Sequence, residues 1–194
     1  MKRLSIAIII FTIFTISGCQ YMQANLNVRY AEENAKKGPL SSVRPLHIEV
    51  GEFIDKRPET DKIGYKRGGF GEKTGKIVTT KPVPQIVREA ILLEFLKNGH
   101  LIGKTDKDII LSGTITSFWF DLQYVTGIGT ISVNLNIIDG KTGATLLTRT
   151  YNGNYIGLPG PWDHGIMNVM NVALERMVQQ MGADNKLIQV LKSL

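Results

Sequence analysis

The sequence predicts an α+β fold in which helices pack on one face of an antiparallel sheet, in the order β-α-β-β-β-α-α. Three observations predict it. Apolar residues alternate with period two over 46–53 and again in three runs between 109 and 156. Two segments, 85–98 and 163–181, carry an apolar stripe at helical spacing. A glycine-containing turn at 139–143 joins two of the strand runs, as in an antiparallel meander.

The first strand is predicted over 46–53, with Leu46, Ile48, Val50 and Phe53 toward the core. Residues 54–75 then lose all periodicity and hold six glycines or prolines, so we expect a long loop there. Loops of that length are uncommon in compact domains and are often functional. Residues 76–80 have the pattern of a short edge strand.

The first helix follows Pro82-Val83-Pro84 and is predicted to end at Asn98-Gly99. The three strand runs are 109–124, 130–139 and 144–156. Pro159-Gly160-Pro161 breaks the chain before a second helix, whose stripe includes several methionines that we expect to fill the core. Residues 183–194 offer a last short helix.

The N-terminus has the pattern of a secretory signal peptide over residues 1–18. A basic start is followed by an apolar run over 4–16 and by the small residues Ser17-Gly18. Cys19, the only cysteine of the chain, comes next. The sequence Ile16-Ser17-Gly18-Cys19 resembles the lipobox of bacterial lipoproteins. The resemblance implies cleavage between Gly18 and Cys19 and acyl (palmitate-type) lipidation of Cys19.

Two other interpretations of this segment are a membrane-spanning anchor and an ordinary signal that leaves a free thiol. The apolar run has about 13 residues, whereas a spanning helix needs roughly 20. A lone exposed thiol is a liability in an oxidising compartment. Gln20 follows the cysteine, and the sorting rule of bacterial lipoproteins then implies the outer membrane, facing the periplasm.

The sequence divides into a signal peptide (1–18), a lipid-anchored tether (19–45) and a single α+β periplasmic domain (46–194). The tether is inferred from the polar texture of 20–45, with a short helix over 24–36 as one option. Fully extended, about 25 residues reach on the order of 80 Å. The domain is thus expected to search a wide zone beside the membrane.

The charge is mildly basic. The formal net charge of +6 falls to +4 without residues 1–18, which include Lys2 and Arg3. The basic residues are scattered, and we expect no nucleic-acid partner. The densest group lies in the glycine-rich segment, where a solvated loop is favoured over an anion-binding surface: Lys56, Arg57, Lys62, Lys66, Arg67, Lys73 and Lys76.

We find no pattern for catalysis, for a metal or for another cofactor, and we expect a protein that is not an enzyme. His47, His100 and His164 lack a second ligand at metal-binding spacing. The run from Gly69 to Lys76 fails the phosphate-loop spacing, because Phe70 stands where the first glycine is needed and Ile77 follows the lysine.

The aromatic residues offer a surface for binding. Alternation places Phe118 and Phe120 on one face of the sheet and Trp119 on the other. One set leaves the core unless helices cover both faces, which is the favoured interpretation. An exposed aromatic face marks a partner or lipid contact. Phe70, in the glycine-rich loop, and Trp119 are the candidate partner surface.

The order of these parts resembles the YajG-like family of bacterial outer-membrane lipoproteins over residues 46–192. The resemblance rests on the lipobox, on Asp55-Lys56-Arg57 after the first strand, on the helix ending at Gly99-His100, and on the later strands and final helix. His100 stands where an aromatic residue is usual. The resemblance implies a lipoprotein of the outer membrane and implies no enzymatic reaction.

Two functions follow as expectations. The first is a lipid-anchored, non-enzymatic module that binds or scaffolds an unknown envelope protein or lipid. The second rests on a resemblance to auxiliary lipoproteins of ABC-type lipid transport systems, and predicts an acyl-chain groove between helix and sheet. A cell-envelope hydrolase is disfavoured, because no acid/base pair or nucleophile can be assembled.

Overall fold

The structure is a computed structural model that describes residues 23–35, 37–103, 105–160 and 163–194. It contains a sheet of eight strands with three helices packed against it. The strands are β1 Ala24–Leu26, β2 His47–Asp55, β3 Gly64–Arg67, β4 Lys73–Thr79, β5 Leu101–Ile102, β6 Ile109–Gln123, β7 Thr126–Asp139 and β8 Thr145–Gly157. The helices are α1 Val83–Lys97, α2 Asp163–Gly182 and α3 Asn185–Lys192.

The predicted meander of three long strands is confirmed. Strand β7 pairs in antiparallel fashion with β6 on one side and with β8 on the other. Every second residue of β6 and β7 is buried, as the alternation of Ile, Val, Leu and Phe predicts. The register of β6 shifts between Ile115 and Ser117, and this irregularity keeps Phe118 and Phe120 on the buried face.

The sheet is mixed, where a purely antiparallel sheet was expected. Strand β2 runs parallel to both β5 and β6, and β1 runs parallel to β4. Since α1 lies between β4 and β5 in the chain, it supplies the crossover that parallel neighbours require. The first strand has the expected core residues, and a register shift between Val50 and Phe53 explains why Phe53 is buried out of phase.

The segment 54–75 is a structured hairpin rather than one long loop. Strand β2 continues to Asp55, β3 pairs with β4 in antiparallel fashion, and β3 also pairs with β6 where Gly64 faces Phe120. Gly64 allows this approach, because a Cβ atom there would lie 2.4 Å from the Phe120 carbonyl oxygen. Strand β4 is not an edge strand, since β1 covers its other side.

The helices agree with their predicted patterns. Helix α1 buries Ile86, Val87, Ala90, Ile91 and Phe95 and ends at Asn98, followed by Gly99 at φ 93°. The methionines of α2 lie in the core, as expected. Helix α2 packs on β7 and β8, and α1 contacts both β2 and α2. All three helices are therefore on one face of the sheet, and the opposite face of the meander is open.

The segment predicted as a tether is folded onto the domain over its described residues, which corrects the boundary of 46 for the domain. Residues 24–30 are extended rather than helical, and alternate ones are buried: Ala24, Leu26, Val28 and Tyr30. Further along, Leu40 and Val43 are also buried. Burial of these apolar side chains offsets part of the entropy that is lost when the backbone of 24–30 is ordered.

Polar contacts bind this N-terminal segment to both long helices. The backbone N–H of Arg29 donates to Asn171 of α2 at 2.9 Å, and the Gly38 N–H donates to Asn98 at 2.8 Å. Asn34 donates to Glu175 at 2.9 Å. The described part of the predicted tether is therefore part of the domain.

Candidate interaction site

The structure separates the residues that the sequence predicts as functional. Gly18 and Cys19 lie outside the described residues. Phe70 lies in the turn between β3 and β4, and its side chain is fully exposed. Trp119 lies on β6, half-buried, on the face that the helices leave open. The two aromatic residues therefore belong to different surfaces, one at an end of the sheet and one on its open face.

The β3–β4 turn holds Phe70 outward by its own hydrogen bonds. The Gly68 N–H donates to the Glu72 carbonyl oxygen at 2.9 Å, and the Arg67 guanidinium donates to the Gly71 carbonyl oxygen at 3.0 Å. Arg67 also forms an ion pair with Asp121 of β6 at 3.1 Å. The turn is thus fastened to the end of the long sheet.

Trp119 packs edge-on against Tyr65 of β3, with ring centroids 6.1 Å apart. The ammonium group of Lys73 lies 4.1 Å from the centre of the Tyr65 ring, within the range of a cation–π contact. Helices cover the face that holds Phe118 and Phe120, and leave the face with Trp119 uncovered. The favoured expectation, that both faces are covered, is therefore wrong for Trp119.

The basic group of the glycine-rich segment is mostly neutralised by carboxylates. Lys62 is paired with Glu59 and, at 2.9 Å, with Asp61. The hydrogen bond with Glu59 is the main reason why the pKa of Lys62 is raised, and Lys76, at 2.6 Å, is the main reason why the pKa of Asp61 is lowered to about 2. An anion that docked here would have to displace these partners.

Arg57 has a structural role within the same segment. Its side chain is buried, forms an ion pair with Asp55 at 2.8 Å, and donates to the carbonyl oxygens of Lys62 and Phe118. These bonds fix the chain after β2 against β6. A buried guanidinium with these acceptors links two strands and is not available to bind a ligand.

The open face of the meander carries only uncharged side chains along the middle of its three strands. We call this surface the outer face. Its rows follow from the strand register: Ser112–Asn136–Thr148, Thr114–Asn134–Thr150, Ser117–Ser132–Asn152 and Trp119–Thr130–Asn154. The residues of β6 and β7 are half-buried, and those of β8 are exposed.

Asn134, near the centre of the outer face, has an unsatisfied acceptor. Its Oδ1 is shielded from solvent and has no hydrogen-bond partner within the described chain. Buried polar atoms in folded proteins are nearly always paired, so such an atom calls for an explanation.

The free edge of β8 is partly blocked. Gln180 of α2 accepts from the Asn152 N–H at 2.6 Å, and Arg176 donates to the Asn154 carbonyl oxygen at 2.8 Å. Backbone groups that pair with side chains are not available for an added strand. Recognition by the face is therefore favoured over strand addition at this part of the edge.

The buried titratable groups of the helix side form a closed structural cluster. Burial raises the pKa of Glu94, whose carboxylate accepts from the Tyr30 hydroxyl at 2.9 Å and from Asn98 at 3.1 Å. His100 is buried beside Phe95, with ring centroids 5.4 Å apart, and burial lowers its pKa. Within the described ranges, no group of three His, Cys, Asp or Glu residues is placed to hold a metal ion.

Close packing fills the space between α2 and the meander. A Cβ atom at Gly153 would lie 1.9 Å from the Ala173 carbonyl oxygen, and one at Gly129 would lie 3.1 Å from that of Val169. The predicted acyl-chain groove is thus absent at these two contacts. A cavity of about 430 Å³ lies instead between α1 and the N-terminal segment, bordered by Tyr30, Leu93 and Leu96 among others.

Four exposed apolar residues lie outside the predicted partner surface: Tyr124, one of the aromatic residues of the predicted strand, and Val125, Ile156 and Leu158. The first two form the tight turn between β6 and β7, and Tyr124 has a positive φ of 57°. The predicted strands end at 124 and resume at 130, and no glycine at 124–125 marks the turn there. The signal available was the apolar composition of 124–125 and 156–158, next to strand ends.

No protein-family model matches the chain, and no curated protein sequence matches it. Solved structures share its fold. XCC0632 from Xanthomonas campestris, described with the family model DUF330, has a TM-score of 0.66 at 11% identity, covering 89% of this chain and 98% of that one. Protein CT253 from Chlamydia trachomatis has a TM-score of 0.52 at 8% identity, covering 77% and 99%.

A candidate lipoprotein from Caulobacter crescentus CB15 also matches, with a TM-score of 0.42 at 12% identity, covering 84% of this chain and 96% of that one. At these identities the likeness shows the fold alone, and a score this low supports no argument on function. The resemblance to YajG-like lipoproteins stays a prediction. Among the residues that the structure describes, no helix is long and apolar enough to span a bilayer.

Proposed function

We propose that the chain is a lipoprotein of the cell envelope, anchored through acylated Cys19 and acting as a non-enzymatic module that binds or scaffolds a partner. The lipobox-like Ile16-Ser17-Gly18-Cys19 supports the anchor. Gln20 and the YajG-like order of parts support the outer membrane, with the domain on the periplasmic side. The fold neighbours include a candidate lipoprotein but carry no argument for this address.

The outer face is the observation that carries the binding role. It is left uncovered by the helices and is free of charge along the middle of three long strands, with half-buried Trp119 in its end row. Exposed faces of soluble sheets normally carry charged residues, which oppose association. Its matching partner is an envelope protein with an uncharged, hydrogen-bonding surface.

The proposal of a non-enzymatic role draws on three ionisable groups that neighbouring side chains hold. Glu94 is enclosed by Tyr30 and Asn98, and Lys62 and Arg57 are engaged by carboxylates. These groups stabilise the fold. A general acid or base needs access to a substrate and to a proton path.

The anchor is tested by replacing Cys19 with serine in the full chain. We expect the variant to be released from membranes or to keep its precursor mass, because the lipid attachment is lost. Ser17→Ala, which keeps a small residue before the cysteine, is the matched control and should stay membrane-bound. Unchanged mass and membrane attachment of Cys19→Ser would refute the anchor.

The partner surface is tested in cells with a photo-crosslinking residue at Trp119 or at Thr150. Lys141, in the turn at the far end of β7, is the control position. We expect one and the same protein to be captured from the two outer-face positions and not from the control. A charge placed between them, Asn152→Lys, should abolish this capture. If no protein is captured from either outer-face position, the proposed partner surface is refuted.

The lipid-transport function predicts bound lipid, and mass spectrometry separates it from scaffolding. Native spectra of the mature protein, extracted from membranes, would show a co-purifying lipid in the transport case. A bound acyl chain that is lost in Leu93→Trp, which fills the cavity beside α1, would favour transport. Bare protein with no lipid transfer between vesicles would favour scaffolding.

A further inference from the structure

The most exposed large apolar side chains of the described chain gather at one end of the sheet. Ten such residues are more than a third exposed, and five of them exceed 60%. We call these five the apolar end: Phe70 at 102%, Tyr124 at 101%, Val125 at 73%, Ile156 at 66% and Leu158 at 79%. The other five are scattered over the molecule and are each about half exposed or less.

Strand direction brings the apolar end together. Strands β3, β6 and β8 all run the same way, since β3 is parallel to β6 and both β6 and β8 are antiparallel to β7. Phe70 follows β3, Tyr124 follows β6, and Leu158 follows β8. Each therefore leaves the sheet at the same end, where Ile128 faces Ile156 across the outer face.

The chain also enters the sheet from this end. Ala24 is in one row with Ile77, Gly64 and Phe120, three residues before β6 stops. Strand β1 runs parallel to β4, hence opposite to β6. The direction from Ala24 back toward the N-terminus is therefore the direction of the apolar end.

The distance from the fold to the proposed lipid is short. Ala24 is five positions after Cys19, so the connection spans at most about 18 Å. An anchor at Cys19 then holds the apolar end close to the bilayer surface. Two aromatic and three aliphatic side chains, exposed to water at that place, are stabilised when they enter the boundary between headgroups and acyl chains.

We propose that the apolar end is a second membrane contact, which inserts into the interface of the bilayer beside the lipid anchor. This proposal rests on the proposed anchor at Cys19. The strands then stand away from the membrane, and the outer face opens sideways into the periplasm. The turn at 139–143 lies at the opposite end of β7, about 45 Å from the apolar end.

Depth-dependent fluorescence quenching tests the contact in the full chain. Val125→Cys carries an environment-sensitive fluorophore, and Lys141→Cys, on the far turn, is the matched control. Cys19 is the only native cysteine, so an acylated wild-type chain takes up no label. The proteins are reconstituted in phosphatidylcholine vesicles with brominated acyl chains.

We expect bromine to quench the label at 125 severalfold and to leave the label at 141 unchanged. An unquenched label at 125 on a vesicle-anchored protein overturns the second contact and assigns the apolar end to a protein or to a second copy of the chain. Labelling of the wild-type chain overturns the anchor instead, and so distinguishes the two proposals.

Flotation gives an independent reading if the anchor is removed. In the Cys19→Ser chain, vesicle binding should fall about tenfold when Val125 and Leu158 are both replaced by serine, because apolar groups no longer leave water. Ile54→Ser with Leu96→Ser, two exposed apolar residues elsewhere, is the control pair. Equal binding of both double variants would contradict the proposal.

Discussion

Gly153 is a residue whose side chain is excluded by the packing of α2. A methyl group would overlap the Ala173 carbonyl oxygen, a backbone atom that moves only if the helix moves. We expect Gly153→Ala to lower the free energy of unfolding by roughly 3 kcal/mol, as overpacking does in tight cores. Gly69→Ala is the control, because its Cβ atom would meet nothing within 4 Å. Urea denaturation measures both, and equal midpoints would contradict the tight contact.

His100 predicts a pH dependence. Burial lowers its pKa in the folded state below the ordinary value of about 6.5. Below pH 6.5 the unfolded chain therefore binds a proton that the folded chain refuses, and stability falls as pH decreases toward the folded pKa. Glu94 acts in the opposite sense, since its raised pKa makes stability fall as pH rises above the ordinary value for a glutamate.

The contribution of His100 is isolated by comparison with His100→Phe. This variant keeps an aromatic ring beside Phe95 but loses the acceptor of the Leu46 N–H. We expect a lower stability at neutral pH and a difference from the wild type that narrows between pH 7 and pH 5. Melting temperatures over that range check it. A constant difference would mean that His100 titrates alike in both states.

At the scale of elements, the N-terminal segment is the part of the fold that sequence periodicity could have revealed. Ala24, Leu26, Val28 and Tyr30 alternate with polar residues, as a half-buried strand does. The segment was interpreted as a tether because its polar composition and its place after the lipobox outweighed a pattern of four apolar residues. The parallel pairing of β1 with β4 depends on tertiary contacts, which local sequence periodicity does not encode.

The other elements also divide into those that a local sequence pattern predicts and those that depend on contacts distant in sequence. The helices and the meander were predictable, because each carries its apolar stripe or its alternation within its own run of residues. The β3–β4 hairpin was not, since its glycines are used for close approach to β6 and its partner Phe120 lies more than fifty residues on. Only Trp119 of the outer face was predicted. The polar rows form when residues of β6, β7 and β8 align across the sheet, and that alignment depends on the strand register.

Leu26 tests the energetic weight of the N-terminal segment. Leu26→Ala should destabilise the protein by about 3 kcal/mol, the cost of a cavity at a fully buried leucine. A mobile tether predicts no change. Asn27→Ala, at an exposed neighbouring position, is the control and should unfold like the wild type. Urea unfolding followed by tryptophan fluorescence distinguishes these results.

At the scale of the molecule, the length of free chain decides how the protein works. A tether of about 25 residues would let the domain search on the order of 80 Å from the membrane. With the proposed anchor at Cys19, a connection of at most about 18 Å would instead set the orientation, with the apolar end toward the bilayer and the outer face sideways. Partners would then bind at a fixed distance from the membrane, which suits the proposed scaffolding role.

Hydrogen exchange over residues 24–30 of the mature, membrane-anchored protein tests this account most directly, because the short connection exists only if that segment is folded. We expect its backbone amides to be protected as part of the sheet, against fast exchange in the turn at 140–143. Exchange of 24–30 at the rate of an unfolded chain, with β6 and β7 still protected, would show a long tether and contradict the account.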